Sequence, residues 1–152
     1  MNLLHPASVH VPSEPGEGSE LGSVLGPALV GSRCDACGQV VFPKIPVCPA
    51  CHRNGTMKDV QIGRTASLFS HTIARSAPKG FRAPFFQAFV DLPEGPRIFT
   101  LIGAECPVED GALQDGMEMR LVIETLADTP ENRDLATYKY VPAARRNGAR
   151  HA

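Results

Sequence analysis

No stretch of the sequence approaches the roughly 20 consecutive apolar residues that span a bilayer as a helix, which excludes a transmembrane helix. Charge of one sign is also missing, since 15 Lys and Arg stand against 16 Asp and Glu for a net of −1. Such a balance offers no long-range positive field for phosphate backbones and disfavours nucleic acid as a partner. The opening residues, Met1 to Pro6, show neither a basic region followed by an apolar run nor a small-residue cleavage site, so no secretory signal is evident. The expectation is a cytoplasmic protein whose five cysteines stay reduced and serve another purpose. Also absent are G-x-x-x-x-G-K-[ST], G-x-G-x-x-G and G-x-S-x-G, the Gly-rich and nucleophile motifs that announce phosphate, dinucleotide or acyl-transfer chemistry.

What is present is globular composition, with 43% hydrophobic and 20% charged residues over 152 positions and no Trp. Fourteen Gly and fourteen Pro argue for short elements joined by turns and against a helical bundle. Residues 1–20 mix Pro, Ser, Gly and Glu without periodicity and read as a flexible arm that orders against a partner. Residues 143–152 form a short basic tail, read as solvated. Between them, residues 21–63 hold four cysteines and a linker, and residues 64–142 read as strands. Met117, Met119, Leu121 and Ile123 alternate with Glu118, Arg120, Val122 and Glu124, the period of a half-buried antiparallel strand. Four further strands are expected over Thr65 to Ala74, Phe85 to Leu92, Arg97 to Ala104 and Ala136 to Val141, and Pro93-Glu94-Gly95-Pro96 makes the second and third a hairpin. No 3.6-residue repeat follows Arg64, although Asp128 to Asp134 has room for a helical turn. Five short strands without crossover helices close most economically as a Greek-key barrel of the OB type, because closure removes exposed edges.

Cys34-Asp-Ala-Cys37 and Cys48-Pro-Ala-Cys51 are two C-x-x-C pairs separated by ten residues. Two residues between cysteines let a tight turn direct both sulfurs at one point, and four thiolates converge tetrahedrally on a metal at about 2.3 Å. The intervening Gly38 to Val47 is long enough to run out and return as a hairpin, which describes a compact zinc ribbon. Gly38 supplies the permissive backbone after one pair, and His52, a residue type that tolerates positive φ, follows the other. Two disulfides would require export, and thioredoxin-like chemistry would require a single pair on a βαβ scaffold. Cys48-Pro-Ala-Cys51-His52 formally matches a c-type haem attachment site, but haem would leave Cys34 and Cys37 without a role. One structural metal held by Cys34, Cys37, Cys48 and Cys51 accounts for all four, with zinc favoured and iron able to occupy the same thiolate set. A closed four-thiolate site leaves no open position for water or substrate.

No catalytic set is apparent. Cys106 would need an activating base, for which His71 is the one histidine outside the ribbon expected to be ordered. Asp91, Glu94, Glu105, Glu109, Asp110 and Asp115 are scattered through turns and strand ends and read as solvated surface. Lys79, Phe81 and Arg82 lie in a cationic loop capable of meeting a phosphate. On the next strand Phe85 and Phe89 share one face while Phe86, Ala88, Val90 and Leu92 share the other. If the aliphatic-rich set is core, Phe85 and Phe89 point outward as partner or ligand anchors.

The string Cys34-x-x-Cys37-Gly38, Phe42-Pro43, Cys48-Pro49-x-Cys51, Gly63 and the strand from Thr65, continuing through Pro84-Phe85, Val90-Asp91-Leu92 and Gly116, resembles the acyl-CoA-associated zinc-ribbon/OB-fold family. Two departures stand out: Lys44 replaces the second proline of the usual Phe-Pro-Pro, and Ser19 to Val30 lacks the aromatic residues of the helix that often precedes the ribbon. The resemblance implies a mostly β protein with a rubredoxin-like zinc ribbon followed by a five-stranded OB-type Greek-key barrel. It implies no enzyme activity of the chain by itself, but an accessory subunit of a thiolase-type acyl-CoA enzyme that stabilises its partner and helps shape the CoA site. Lys79, Phe81, Arg82, Phe85 and Phe89 are then candidate contacts to CoA or the partner. A hot-dog-fold hydratase or a lipid-transfer-type aldolase is the alternative partner. Single-stranded nucleic-acid binding is the alternative from another class, opposed by eight Lys/Arg against eleven Asp/Glu over residues 64–142.

Overall fold

Nine strands and no helix make up the regular structure of the residues described by the computed structural model, which are 9–10, 26–126, 130 and 135–143. The first sheet is built on β2 (Ala28–Cys34). β4 (Met57–Ile62) pairs with it antiparallel over its whole length, from Leu29↔Ile62 to Cys34↔Met57. The short β1 (Val9–His10) and β3 (Val40–Val41) also pair with β2. Val9 and His10 fall within the stretch expected as a flexible arm; extended backbone alone satisfies the strand edge at Ala28 and Leu29, so no side-chain pattern signals it. The remainder of that arm, and the basic tail beyond Ala143, lie outside the described residues, as does most of the Asp128 to Asp134 turn.

The second sheet has the order β7-β6-β5-β8-β9, with β5 (Thr65–Ala74), β6 (Phe85–Asp91), β7 (Arg97–Leu101), β8 (Glu118–Thr125) and β9 (Ala136–Pro142). All five expected strands are present. The Pro93–Pro96 turn closes the β6–β7 hairpin, with the Leu92 N–H donating to the Pro96 carbonyl at 2.9 Å. β7 ends three residues earlier than expected. Ile102 N–H still donates to the Phe86 carbonyl of β6 at 3.3 Å while the residue bridges Tyr140 of β9 in parallel, and Gly103 N–H then donates to the Tyr140 carbonyl at 2.9 Å. That contact brings the sheet's two edge strands together, so the curled sheet closes in the OB manner. A bulge between Leu68 and Ser70 coils β5 and leaves Phe69 as the extra residue.

Alternation decides the faces. In β6, Phe86, Ala88, Val90 and the following Leu92 are all buried, whereas Phe85 is half-buried and Phe89 is exposed. The aliphatic-rich set is therefore core. In β8 the alternation is clean through Leu121 and fades afterwards, because Glu124 is drawn in by the Ala104 N–H at 3.1 Å and by Lys139 at 3.5 Å. Leu29 and Ile62 of the first sheet join the barrel residues Leu68, Val90, Met119, Leu121 and Tyr140 in a single hydrophobic cluster. One core thus spans both sheets, and among the described residues no buried side-chain nitrogen or oxygen lacks a partner.

Candidate metal centre

The two C-x-x-C segments fold as equivalent knuckles. In the first, Gly38 N–H donates to the Cys34 carbonyl at 2.8 Å and Cys34 N–H to the Gln39 carbonyl at 2.9 Å. In the second, His52 N–H donates to the Cys48 carbonyl at 2.9 Å and Cys48 N–H to the Arg53 carbonyl at 3.2 Å. Each turn needs left-handed backbone after its second cysteine, and Gly38 (φ 79°) and His52 (φ 57°) provide it. The β2–β4 ladder carries the first knuckle, since β2 ends on Cys34. A Val47↔Asn54 bridge closes the base of the second.

The four sulfurs lie within 4.8 Å of one another. Cys34 and Cys51 are 3.7 Å apart, and Cys37 and Cys48 are 3.5 Å apart. A tetrahedron with metal–sulfur bonds of about 2.3 Å has edges of about 3.8 Å, so the set fits one zinc ion. Cys34 and Cys48 are buried, Cys51 is half-buried and Cys37 reaches the surface. The Thr56 hydroxyl lies 3.2 Å from the Cys34 sulfur, and this bond is the main reason that the Cys34 thiol is held down at about 6. The Cys51 N–H, followed by other local groups, lowers Cys48 despite burial. At Cys37 the Gln39 N–H pulls downward, but Cys48, burial and the other two sulfurs together push the thiol up to about 11. Lys44, in place of the usual second proline, reaches Asp59 of β4 at 2.9 Å and ties the intervening loop to the sheet.

Outside this cluster the structure separates the residues that nucleophilic chemistry would unite. Cys106 is buried; burial, then the charge of Glu109, raises its thiol above the ordinary value. His71 instead pairs with Asp115 at 3.1 Å and sets its ring edge-on to Phe86. Three of the six scattered carboxylates have cationic partners at the surface: Asp91 with Arg97, Glu105 with Arg120 and Asp110 with Arg75. Among the described residues the four cysteines form the one group of three or more His, Cys, Asp or Glu side chains able to share a metal.

The candidate contact residues fall into two places. Lys79, Phe81 and Arg82 occupy the β5–β6 loop, where the Phe81 ring stacks on Phe85 at 6.3 Å between centroids. Phe89 sits four residues along the same face of β6, edge-on to Phe99 at 5.7 Å.

Residues 27–56 match the rubredoxin-like zinc ribbon domain of ChsH2, and residues 59–124 match the C-terminal OB-fold domain of ChsH2. A DUF35 domain-containing scaffold protein of Methanocaldococcus jannaschii is 31% identical over 114 residues, covering 74% of this chain and 78% of that one. The chain belongs to the ChsH2-type (DUF35) zinc-ribbon/OB-fold family. Another relative is the benzoylsuccinyl-CoA thiolase subunit BbsA of Thauera aromatica, 32% identical over 75% of this chain and 76% of its own. Among solved structures, the Ltp2–ChsH2(DUF35) aldolase superposes with a TM-score of 0.59 at 28% identity, over 76% of this chain and 84% of that one.

Sequence reasoning about this DUF35 chain missed Thr56, Phe69, Phe99 and Tyr140. Thr56 has no fixed spacing from Cys34, which it reaches only because β2 and β4 pair. Phe69 continues the outward alternation of Thr65 and Ser67, and the bulge that follows Leu68, which strand pattern alone does not predict, sets Ser70 beside it on the same face.

Proposed function

We propose that this chain is a non-catalytic accessory subunit of an acyl-CoA enzyme complex of the thiolase type, stabilising the enzyme and helping to shape its CoA site. The similarity to a benzoylsuccinyl-CoA thiolase subunit over three quarters of both chains carries the reading. A four-cysteine cluster with no open position supports it, as do a buried, raised Cys106 and a His71 engaged elsewhere. Zinc here is structural: it staples two knuckles too short to fold on their own and adds no reactive centre. The four ligands are Cys34, Cys37, Cys48 and Cys51. The chain divides near Gly63 into a ribbon over 21–63 and a barrel over 64–142, and it works in the cytoplasm.

Lys79, Phe81, Arg82 and Phe85 suit a CoA contact. A stacked aromatic pair offers an adenine a flat apolar surface, and two exposed cations beside it suit phosphates. The likeness to an aldolase complex favours one second reading, in which the partner is a lipid-transfer-type aldolase. Tagged full-length chain should co-purify with an acyl-CoA enzyme identified by mass spectrometry, and that enzyme should lose activity without it. Thiolysis consumes free CoA whereas retro-aldol cleavage does not, so the CoA balance separates the two partners. An enzyme that is soluble and fully active alone would sink the accessory role.

A further inference from the structure

Phe69, Phe89 and Phe99 are each close to half exposed, at 48%, 46% and 47%. They stand on three adjacent strands and on one side of the sheet. Phe89 and Phe99 are directly opposite in the β6–β7 register, and the residue after Phe69, Ser70, pairs with Phe89 across β5–β6. The three rings present roughly 300 Å² of apolar surface, comparable with the largest apolar patch of an ordinary monomer, which is often functional. A shallow groove of about 180 Å³ lies against Phe89 and Phe99, lined in part by Ser70, Thr72 and Gln87. β6 has neighbours on both sides, so its backbone is already paired and this face engages through side chains, not through strand addition.

The charges on this face decide what it binds. Arg97 places its guanidinium 3.3 Å from the Phe69 centroid and is itself held by Asp91 through bonds of 2.6 and 3.0 Å. One cation and one anion cancel, and the other outward residues of β6 and β7 nearby are uncharged. Single-stranded nucleic acid needs open ring faces and a cationic track. Here Arg97 caps one ring, and the other two pack edge to face against each other. Such a neutral, apolar surface suits another protein, and Phe85 carries the same face of β6 on towards the loop of Lys79 and Arg82 that suits CoA, so the protein placed there is the one that holds the CoA. We infer that the Phe69–Phe89–Phe99 face is the surface by which the chain docks on its acyl-CoA enzyme, against a neutral apolar patch of that enzyme. This rests on the accessory-subunit reading and adds the place of contact.

The test measures the affinity of full-length zinc-loaded chain for the enzyme chain recovered by co-purification, comparing wild type with F89E and with F69S/F89S/F99S. Zinc content and melting temperature serve as folding controls, and F89L as the conservative variant. F89E should weaken binding at least tenfold and the triple variant about 100-fold, with both controls unchanged and F89L within about threefold of wild type. A wild-type complex that the triple variant forms equally well overturns the docking face while leaving the accessory role intact. A wild-type chain that forms no such complex overturns the accessory role, and the docking face with it. A concentration-dependent dimer, or binding of a 20-nucleotide oligothymidine, that the triple variant alone abolishes would assign the face to a second copy or to nucleic acid and overturn the proposal.

Discussion

The Tyr140 hydroxyl donates a 2.5 Å hydrogen bond to the carbonyl oxygen of Gly63, 77 positions earlier in the chain. Gly63 is the single residue between β4 and Arg64, with φ at 70°, and a Cβ placed there would meet the Tyr140 oxygen at 2.7 Å. Its own N–H donates to Glu94 at 3.2 Å. The passage from the cysteine-bearing sheet to the barrel is thereby pinned from both sides, and burial holds the Tyr140 phenol far above its ordinary value, so it stays a donor at any working pH. Metal knuckles and barrel face are held in a fixed relation.

Tyr140→Phe keeps the ring and removes one buried hydrogen bond, and should cost about 1–2 kcal/mol. Gly63→Ala should cost more. It combines left-handed backbone, worth about 1–2 kcal/mol against a non-glycine residue, with an overlap that rigid neighbours cannot relieve. Chemical denaturation of the zinc-loaded chain checks both, and a Gly63→Ala protein as stable as wild type would refute the pinned junction.

Loss of any one ligand should release the metal. Cys48→Ser, or chelation of the wild type, removes a thiolate set that holds residues 34–56 together, and the knuckles should unfold while barrel strands persist. Zinc per chain and amide hydrogen exchange report the two effects separately. Retention of one equivalent of zinc by Cys48→Ser would contradict the four-cysteine assignment.

Thr56→Val should lower zinc affinity about tenfold, because the hydroxyl that supports the Cys34 thiolate is lost with little change in volume. Thr56→Ser should restore most of it. Competition with a chromogenic chelator measures the difference, and equal affinities for the valine and serine variants would show that the hydroxyl contributes nothing.

The metal knuckles and barrel strands were legible in the sequence for different physical reasons. Two C-x-x-C pairs can serve one centre only by converging, and glycine or histidine after each pair marks the turn that makes them converge. β6 and β8 announce themselves by alternation because one face is wet. β2 and β4 did not, since β2 is buried almost throughout and β4 carries Lys58, Asp59 and Gln61 with little period. Their pairing is set by the metal and by Leu29 and Ile62 entering the barrel core. The early end of β7 was equally hidden, because it depends on Tyr140 arriving from the far end of the fold. Alternation on β6 marked Phe89 as outward once the aliphatic-rich set was core, whereas Phe69 and Phe99 joined it only through the pairing of β5, β6 and β7.

Cys106 should behave as an inert core thiol. Burial and the Glu109 carboxylate both disfavour its thiolate, so the raised pKa means little thiolate at neutral pH and more only as pH rises beyond the usual thiol range. In the zinc-loaded chain, iodoacetamide should leave Cys106 unmodified at pH 7, with a rate that keeps climbing above pH 9 instead of levelling off. Cys106→Ser should leave the activity of the reconstituted complex within about twofold of wild type, the normal scatter for a residue outside the chemistry. A thiol that labels rapidly at neutral pH, together with a complex inactivated by Cys106→Ser, would reinstate Cys106 as a nucleophile and undo the non-catalytic assignment of this chain.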